Sequence, residues 1–413
     1  MIYLSDMSRC QPDSALAEKL EKGHCMLIPY ETDEVSGTMI VAQSFIKAPD
    51  VVLPLNVSGW HAIYVGYWNP HYIYDNGTIV KVKLSDDPCF YRIRQYSDLV
   101  CNSSRLSSLP PCVIQEVFFK NADLTGQDIV VGKMNGQFAR KACVAYIKLV
   151  PLSSEQVEVI RKERARIDTR KLVATYDGLA SFWGVERTRE DIMEWVERYR
   201  YSDVGKVLWA VCYGEVANYP SVIGRSWTDA ADRVRLVEGP GTNENIVEQK
   251  AIYKNMEELF SKGIIPQQVI AEHVHGMGLK FDIMFRLGIT GGLPPTRNEN
   301  FFVAQHPEFR QVLRDGTPIE KASYAFPEVR ALMLSIIREA TQKFNVDGIN
   351  LCFVRGPHFI EYERPVLEDF KRKYEEDARE VEPTDPRLLD IRAGYMTSFV
   401  REARRILDEI GQE

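Results

Sequence analysis

Residues 344–357, FNVDGINLCFVRGP, constrain the fold more than any other stretch of the chain. Helix-period apolar residues lead into them (Leu332, Leu334, Ile336, Ile337, Ala340), and Asp347-Gly348 then punctuates the start of an extended run. A helix therefore feeds a strand. Within that strand Ile349, Leu351 and Phe353 alternate with Asn350, Cys352 and Val354, so one face is bulky and the other small or polar. A barrel strand needs this division, because its outer face packs on helices while its inner face narrows toward layered side chains and a site at the carboxyl end. Arg355, His358, Glu361 and Glu363 follow at that end.

The length of 413 residues exceeds what one hydrophobic core usually supports, which points to two domains. Apolar residues at 45% and charged residues at 26% fit a globular chain and argue against extended disorder. A net charge of −7, with no long basic stripe, makes nucleic acid an unsuitable partner. The N-terminus has no basic region followed by an apolar one, and no run of about 18 apolar residues occurs, so no membrane partner is expected and the compartment stays open. The eight cysteines are scattered without C-x-x-C or metal-finger spacing and read as reduced, small apolar residues.

Residues 1–152 read as short strands between turns: CMLIPY, GTMIVAQSFI, VVLPLNV, GWHAIYVGYW, GTIVKVKL, PCFYRIRQY, VIQEVFFKNADL, DIVVGKM and ACVAYIKLVPL. Such spacing is the signature of an antiparallel β-sandwich. Trp60, His61, Tyr64, Tyr67, Trp68, His71, Tyr72 and Tyr74 crowd one stretch of it, where aromatic rings serve either a sandwich core or stacking on sugar faces. Residues 153–170 form a charged connecting helix. From residue 171 onward KLVATYD, KVLWAVCYG, KFDIMFRLG and the opening strand each precede helical sequence, giving four β-then-α units and a parallel sheet. A complete eight-stranded barrel takes about 250 residues. Residues 171–413 approach that length with only four legible strands, so the expectation is a barrel present in its first four β/α units.

The order of these motifs, with Tyr324-Ala325-Phe326-Pro327-Glu328-Val329-Arg330 ahead of Val346-Asp347-Gly348-Ile349-Asn350-Leu351-Cys352-Phe353-Val354-Arg355 and Tyr219-Pro220-Ser221 after the second strand, resembles bacterial glycoside-hydrolase-like proteins. The resemblance covers mainly residues 171–413. It implies a (β/α)8-type TIM barrel preceded by a β-sandwich, a carbohydrate ligand and no organic cofactor; a barrel with only four strands would expose the edge of its fourth strand and part of its inner apolar surface, which favours self-association or requires a missing C-terminal half. One position departs from the family pattern. Cys352 stands where many members carry an inward Asp, and a thiol does not supply the carboxylate charge that stabilises a sugar's anomeric carbon.

Glycoside hydrolysis calls for two carboxyl groups flanking the bond, so candidates are sought at strand carboxyl ends. Asp177 closes the first strand, where alternation with Val173 and Thr175 turns it to the barrel interior or makes it a turn cap before Gly178. Glu215 follows the second strand as a ligand contact or a solvated loop acid. Glu361 and Glu363 are candidate general acids in the loop after the fourth strand. Arg286, Arg355, His358, Cys352 and Tyr219 are candidate substrate contacts, the guanidinium groups either orienting hydroxyls or holding a buried acid. Asp347, at the amino end of its strand, reads as structural. His273 and His275, two residues apart at a helix end, fall on different faces and offer no metal site. The expected activity is glycan hydrolysis; the alternatives are a barrel that binds sugars without cutting them, or an interaction protein.

Overall fold

The computed structural model describes residues 1–43, 47–69, 78–94, 113–134, 141–179, 182, 188–226, 244–289, 301–354 and 358–411. The chain divides into two units, residues 1–169 with 190–202 and residues 170–189 with 203–413. It is a mixed α/β protein with several sheets.

The first unit contains β1 (Ile2–Leu4), β2 (Leu16–Ala17), β3 (Cys25–Glu31), β4 (Ser36–Ala42), β5 (Val51–Leu53), β6 (Trp60–Asn69), β7 (Ile79–Leu84), β8 (Tyr91–Arg94), β9 (Val113–Asp123), β10 (Ile129–Lys133) and β11 (Ala142–Pro151). One sheet runs β2-β3-β4-β11-β6-β9, with β1 also on β11, and a second runs β5-β10-β7-β8. Alternation explains the core between them: Ile63, Val65 and Tyr67 of β6 pack in one cluster with Val80 and Val82 of β7 and Ile129 and Val131 of β10. Of the aromatic stretch, Tyr67 belongs to this core and donates its hydroxyl to Gln115 at 3.1 Å, and His61 is buried with a ring nitrogen 3.0 Å from the Gly59 carbonyl. His71, Tyr72 and Tyr74 lie outside the described residues. Helix α1 (Ser154–Ala165) begins with a capping box between Ser153 and Gln156 and belongs to this unit.

Helix α2 (Arg189–Glu197) was expected from its sequence to be the crossover following the first parallel strand. Its residues 190–202 instead join the first unit. The reason is electrostatic. Glu194 has no exposed side-chain surface and lies between Lys81 Nζ at 2.6 Å and Arg92 Nε at 2.5 Å, both on strands of the four-stranded sheet.

In the second unit β12 (Leu172–Tyr176), β13 (Val204–Tyr213), β16 (Lys280–Arg286) and β19 (Gly348–Cys352) pair side by side in parallel and in chain order. Between them come β14 (Val216–Ala217), β15 (Arg225–Ser226), helices α3 (Glu244–Ser261), α4 (Pro266–Gly276) and α5 (Phe301–Gln305), the hairpin β17 (Arg310–Val312) and β18 (Pro318–Ala322), and α6 (Pro327–Lys343). Helices α7 (Arg364–Tyr374) and α8 (Pro386–Ile410) follow. The sheet is open among the described residues, and its β14 strand runs antiparallel to β13, so it is neither all-parallel nor a closed barrel. Val329, Met333, Ile336, Ile337 and Ala340 of α6 are buried at helical spacing, as the sequence pattern requires. The outer strands are the wetter ones: Leu172 and Val173 on β12 and Phe353 and Val354 just after β19 stay exposed.

Among the described residues six cysteines are outside any disulfide, five of them buried; Cys101 and Cys112 lie outside the described residues. No helix among the described residues is long and apolar enough to cross a membrane.

Candidate functional site

The carboxyl ends of the parallel strands bring three of the sequence candidates together. Asp177, the residue after β12, forms an ion pair with Arg286 at the end of β16, and Arg286 stands in register with Cys352 at the end of β19. The Asp177 side chain is 62% exposed whereas that of Arg286 is 13% exposed, so the carboxylate faces solvent on a guanidinium rooted in the sheet. Arg355 lies outside the described residues.

A fourth participant, Tyr213, carried no signal in the sequence. A β-bulge between Ala210 and Cys212 shifts β13 by one residue and places Tyr213, not Cys212, in register with Arg286. The Arg286 guanidinium then lies 4.7 Å from the centre of the Tyr213 ring, and the tyrosine hydroxyl donates to the Asp177 carbonyl oxygen at 2.6 Å.

Behind this cluster the supporting residues Ala210, Asn218 and Gln267 are buried. Gly178 turns the chain with φ +76, and a Cβ there would stand 1.9 Å from the Ala210 carbonyl oxygen. That carbonyl accepts from the Asn218 amide at 2.8 Å, and Asn218 in turn accepts from Gln267 of α4 at 2.7 Å. Lower on the same sheet Lys206 pairs with the buried Asp282 at 2.5 Å.

Other sequence candidates do different work. Glu215 is buried, and its carboxylate accepts from the Phe302 amide in the first turn of α5 at 3.0 Å, so it caps a helix in place of the loop contact expected of it. Tyr219 is fully buried and donates to Glu339 of α6 at 2.9 Å; burial pushes its phenol up, and the side chain serves the core rather than a ligand. Asp347 accepts from the Phe281 amide at 2.8 Å and meets His275 at 2.9 Å, the structural role its position suggested. His273 is buried.

The loop after β19 forms a separate cluster. Glu361 lies 3.5 Å from Arg392 of α8 and 3.3 Å from His358. Glu363 has no exposed surface and accepts from the amides of Glu361 at 2.9 Å and Val312 at 3.3 Å. Burial pushes its carboxyl up to about 7, against the pull of those amides and of the Ser323 hydroxyl. A group sealed in this way cannot touch a substrate, which replaces the general-acid role expected of it with a structural one.

The sign of its pH effect follows. Because the folded chain holds this proton more tightly than the unfolded one, its contribution is complete below pH about 4.5 and is lost as pH rises to about 7, on the order of 3 kcal/mol in all. In urea melts from pH 5 to 8, Glu363→Gln is expected to flatten this part of the stability profile; parallel profiles for parent and variant would contradict the assignment.

No family model and no curated protein matches this sequence. Among solved structures, the chain is similar to alpha-L-fucosidase isoenzyme 2 from Paenibacillus thiaminolyticus at 13% identity and TM-score 0.37, over 58% of this chain and 31% of that one. It is similar to the GH36 alpha-galactosidase AgaA from Geobacillus stearothermophilus at 11% identity and TM-score 0.29, over 91% of this chain and 48% of the other. An alpha-galactosidase from Lactobacillus brevis matches at 10% identity and TM-score 0.29, over 91% and 48%. The chain thus spans about a third to a half of the length of these structures, and likenesses this slight assign no function.

Proposed function

We propose that this chain acts on a glycan at the carboxyl end of the parallel sheet in its second unit, as a glycoside-hydrolase-like protein. The observation that carries the reading is the solvent-facing Asp177 carboxylate held by Arg286 beside the Tyr213 ring. A carboxylate suits either a hydroxyl or the charge that develops at an anomeric carbon, a guanidinium orients hydroxyls, and an aromatic ring accepts a sugar face. In this reading Asp177 faces the sugar, Arg286 positions it, and Cys352 lines the floor. The four parallel strands in chain order are taken as the first four of a (β/α)8 barrel, and the two-sheet first unit as a β-sandwich domain.

A second reading, sugar binding without hydrolysis, has its own support. Two of the four candidate carboxylates, Glu215 and Glu363, are spent on backbone amides, while hydrolysis needs a pair flanking the bond.

The test is a panel of 4-nitrophenyl glycosides together with a glycan array, run on the parent and on Asp177→Asn. The parent is expected to cleave or bind at least one glycan, and the variant to lose about a hundredfold or more in turnover if the chain is a hydrolase. Binding without turnover, weakened by the same change, selects the second reading. Equal behaviour of parent and variant on every ligand overturns both.

A further inference from the structure

The first unit holds a cleft of ≈ 500 Å³ bounded by α1, the β7–β8 turn, the end of β9 and the residues that follow α2. Its size suits a small ligand. At one wall the Arg164 guanidinium lies 4.2 Å from the centre of the Tyr201 ring and 5.4 Å from that of Trp60. One of its five donors is given to the Asn121 carbonyl at 2.6 Å. Among the described residues no carboxylate pairs with it, although it is half-buried. Of the cleft's four acids, Asp87 pairs with Lys120 at 2.5 Å and Glu197 with Arg200 at 2.5 Å, Asp86 meets Gln127, and one oxygen of Asp123 accepts from the Thr125 amide and hydroxyl. A guanidinium withdrawn from water without a counter-ion is costly, and its planar fork matches a carboxylate in two parallel hydrogen bonds.

Tyr201 supplies an independent observation. It sits in the left-handed region at φ 61, a conformation that costs a side-chain-bearing residue energy, and the residue remains 56% exposed at the cleft. The chain thus holds a large aromatic ring at the surface in a strained backbone, beside a cation that no carboxylate among the described residues pairs.

We infer that this cleft binds a carboxylate-bearing sugar, a residue of the uronic acid type, with its carboxylate on Arg164 and its ring against Tyr201. Asp123 and Gln127, also in the cleft, offer acceptor oxygens to hydroxyl groups. The anion component stands on Arg164 alone, whereas the sugar component rests on the glycan reading above.

Calorimetric titration of the full chain with glucuronate, galacturonate, glucose and galactose tests this, using the parent, Arg164→Gln, Tyr201→Gly and Asp177→Asn. Glycine suits the left-handed position, so Tyr201→Gly removes the ring without unfolding the turn. A uronate is expected to bind at one saturable site, about tenfold or more weaker in Arg164→Gln and in Tyr201→Gly, unchanged in Asp177→Asn, and in preference to the neutral sugars. No saturable uronate binding, neutral sugars binding equally well, or indifference to Arg164→Gln overturns the proposal. Binding lost only in Asp177→Asn places the uronate at the sheet end, so the cleft proposal fails while the glycan reading stands. Binding with the expected cleft dependence, alongside an Asp177→Asn variant that behaves like the parent toward every glycan, upholds the cleft and removes the sheet-end site.

Discussion

Glu194→Ala is expected to destabilise the first unit by about 3–5 kcal/mol, the scale for removing one partner of a buried ion pair. The Glu194 side chain has no exposed surface, and those of Lys81 and Arg92 are 12% and 13% exposed. Lys81 also approaches Asp191 of the same helix at 3.3 Å, so α2 is fixed to the four-stranded sheet by charge, and Ile192 and Val196 of the helix are buried as well. Removing Glu194 withdraws the counter-ion that both cations share in a place where water cannot replace it. Urea unfolding followed by Trp195 fluorescence measures the loss. A change below about 1 kcal/mol, the value for an exposed pair, would show that the charges are effectively solvated.

Gly178→Ala is expected to cost about 3 kcal/mol or more, because two penalties coincide at one position. The left-handed φ of +76 disfavours any Cβ, and the added carbon would meet the Ala210 carbonyl oxygen at 1.9 Å, an atom of the sheet backbone that cannot swing aside. Relief requires β12 and β13 to part, which would break the Asn218 bond to Ala210 and displace Asp177 from Arg286. Loss of stability should therefore accompany loss of glycan engagement. Thermal melts that match the parent, with engagement intact, would show that the strand end tolerates the substitution and that Asp177 is not held as described.

The parallel strands and the helices α4 and α6 were legible in the sequence because their apolar residues repeat with a clear period and are bounded by Gly, Pro or Asp. The placement of α2 was not. Ile192, Glu194 and Val196 are all buried, and a glutamate within EWVER reads as solvated until the cations that meet it are known from other strands. Asp177 and Arg286 followed from strand parity. Tyr213 did not, because parity fails across a bulge, and nothing local in KVLWAVCYG marks the extra residue at Ala210 to Cys212. Glu215 and Glu363 show the converse. A carboxylate in a loop sequence gives no sign of whether it meets water or a backbone amide, and here both meet amides contributed by residues 50 or more positions away.

The most direct test of the account is a crystal structure of the chain with a glycan that it engages in the array. A sugar ring is expected at the carboxyl end of β12 and β16, with a hydroxyl or the anomeric carbon's substituent within hydrogen-bond distance of the Asp177 carboxylate and the ring near Tyr213. A glycan bound elsewhere, with Asp177 and Arg286 still paired to each other and touching nothing else, would contradict it.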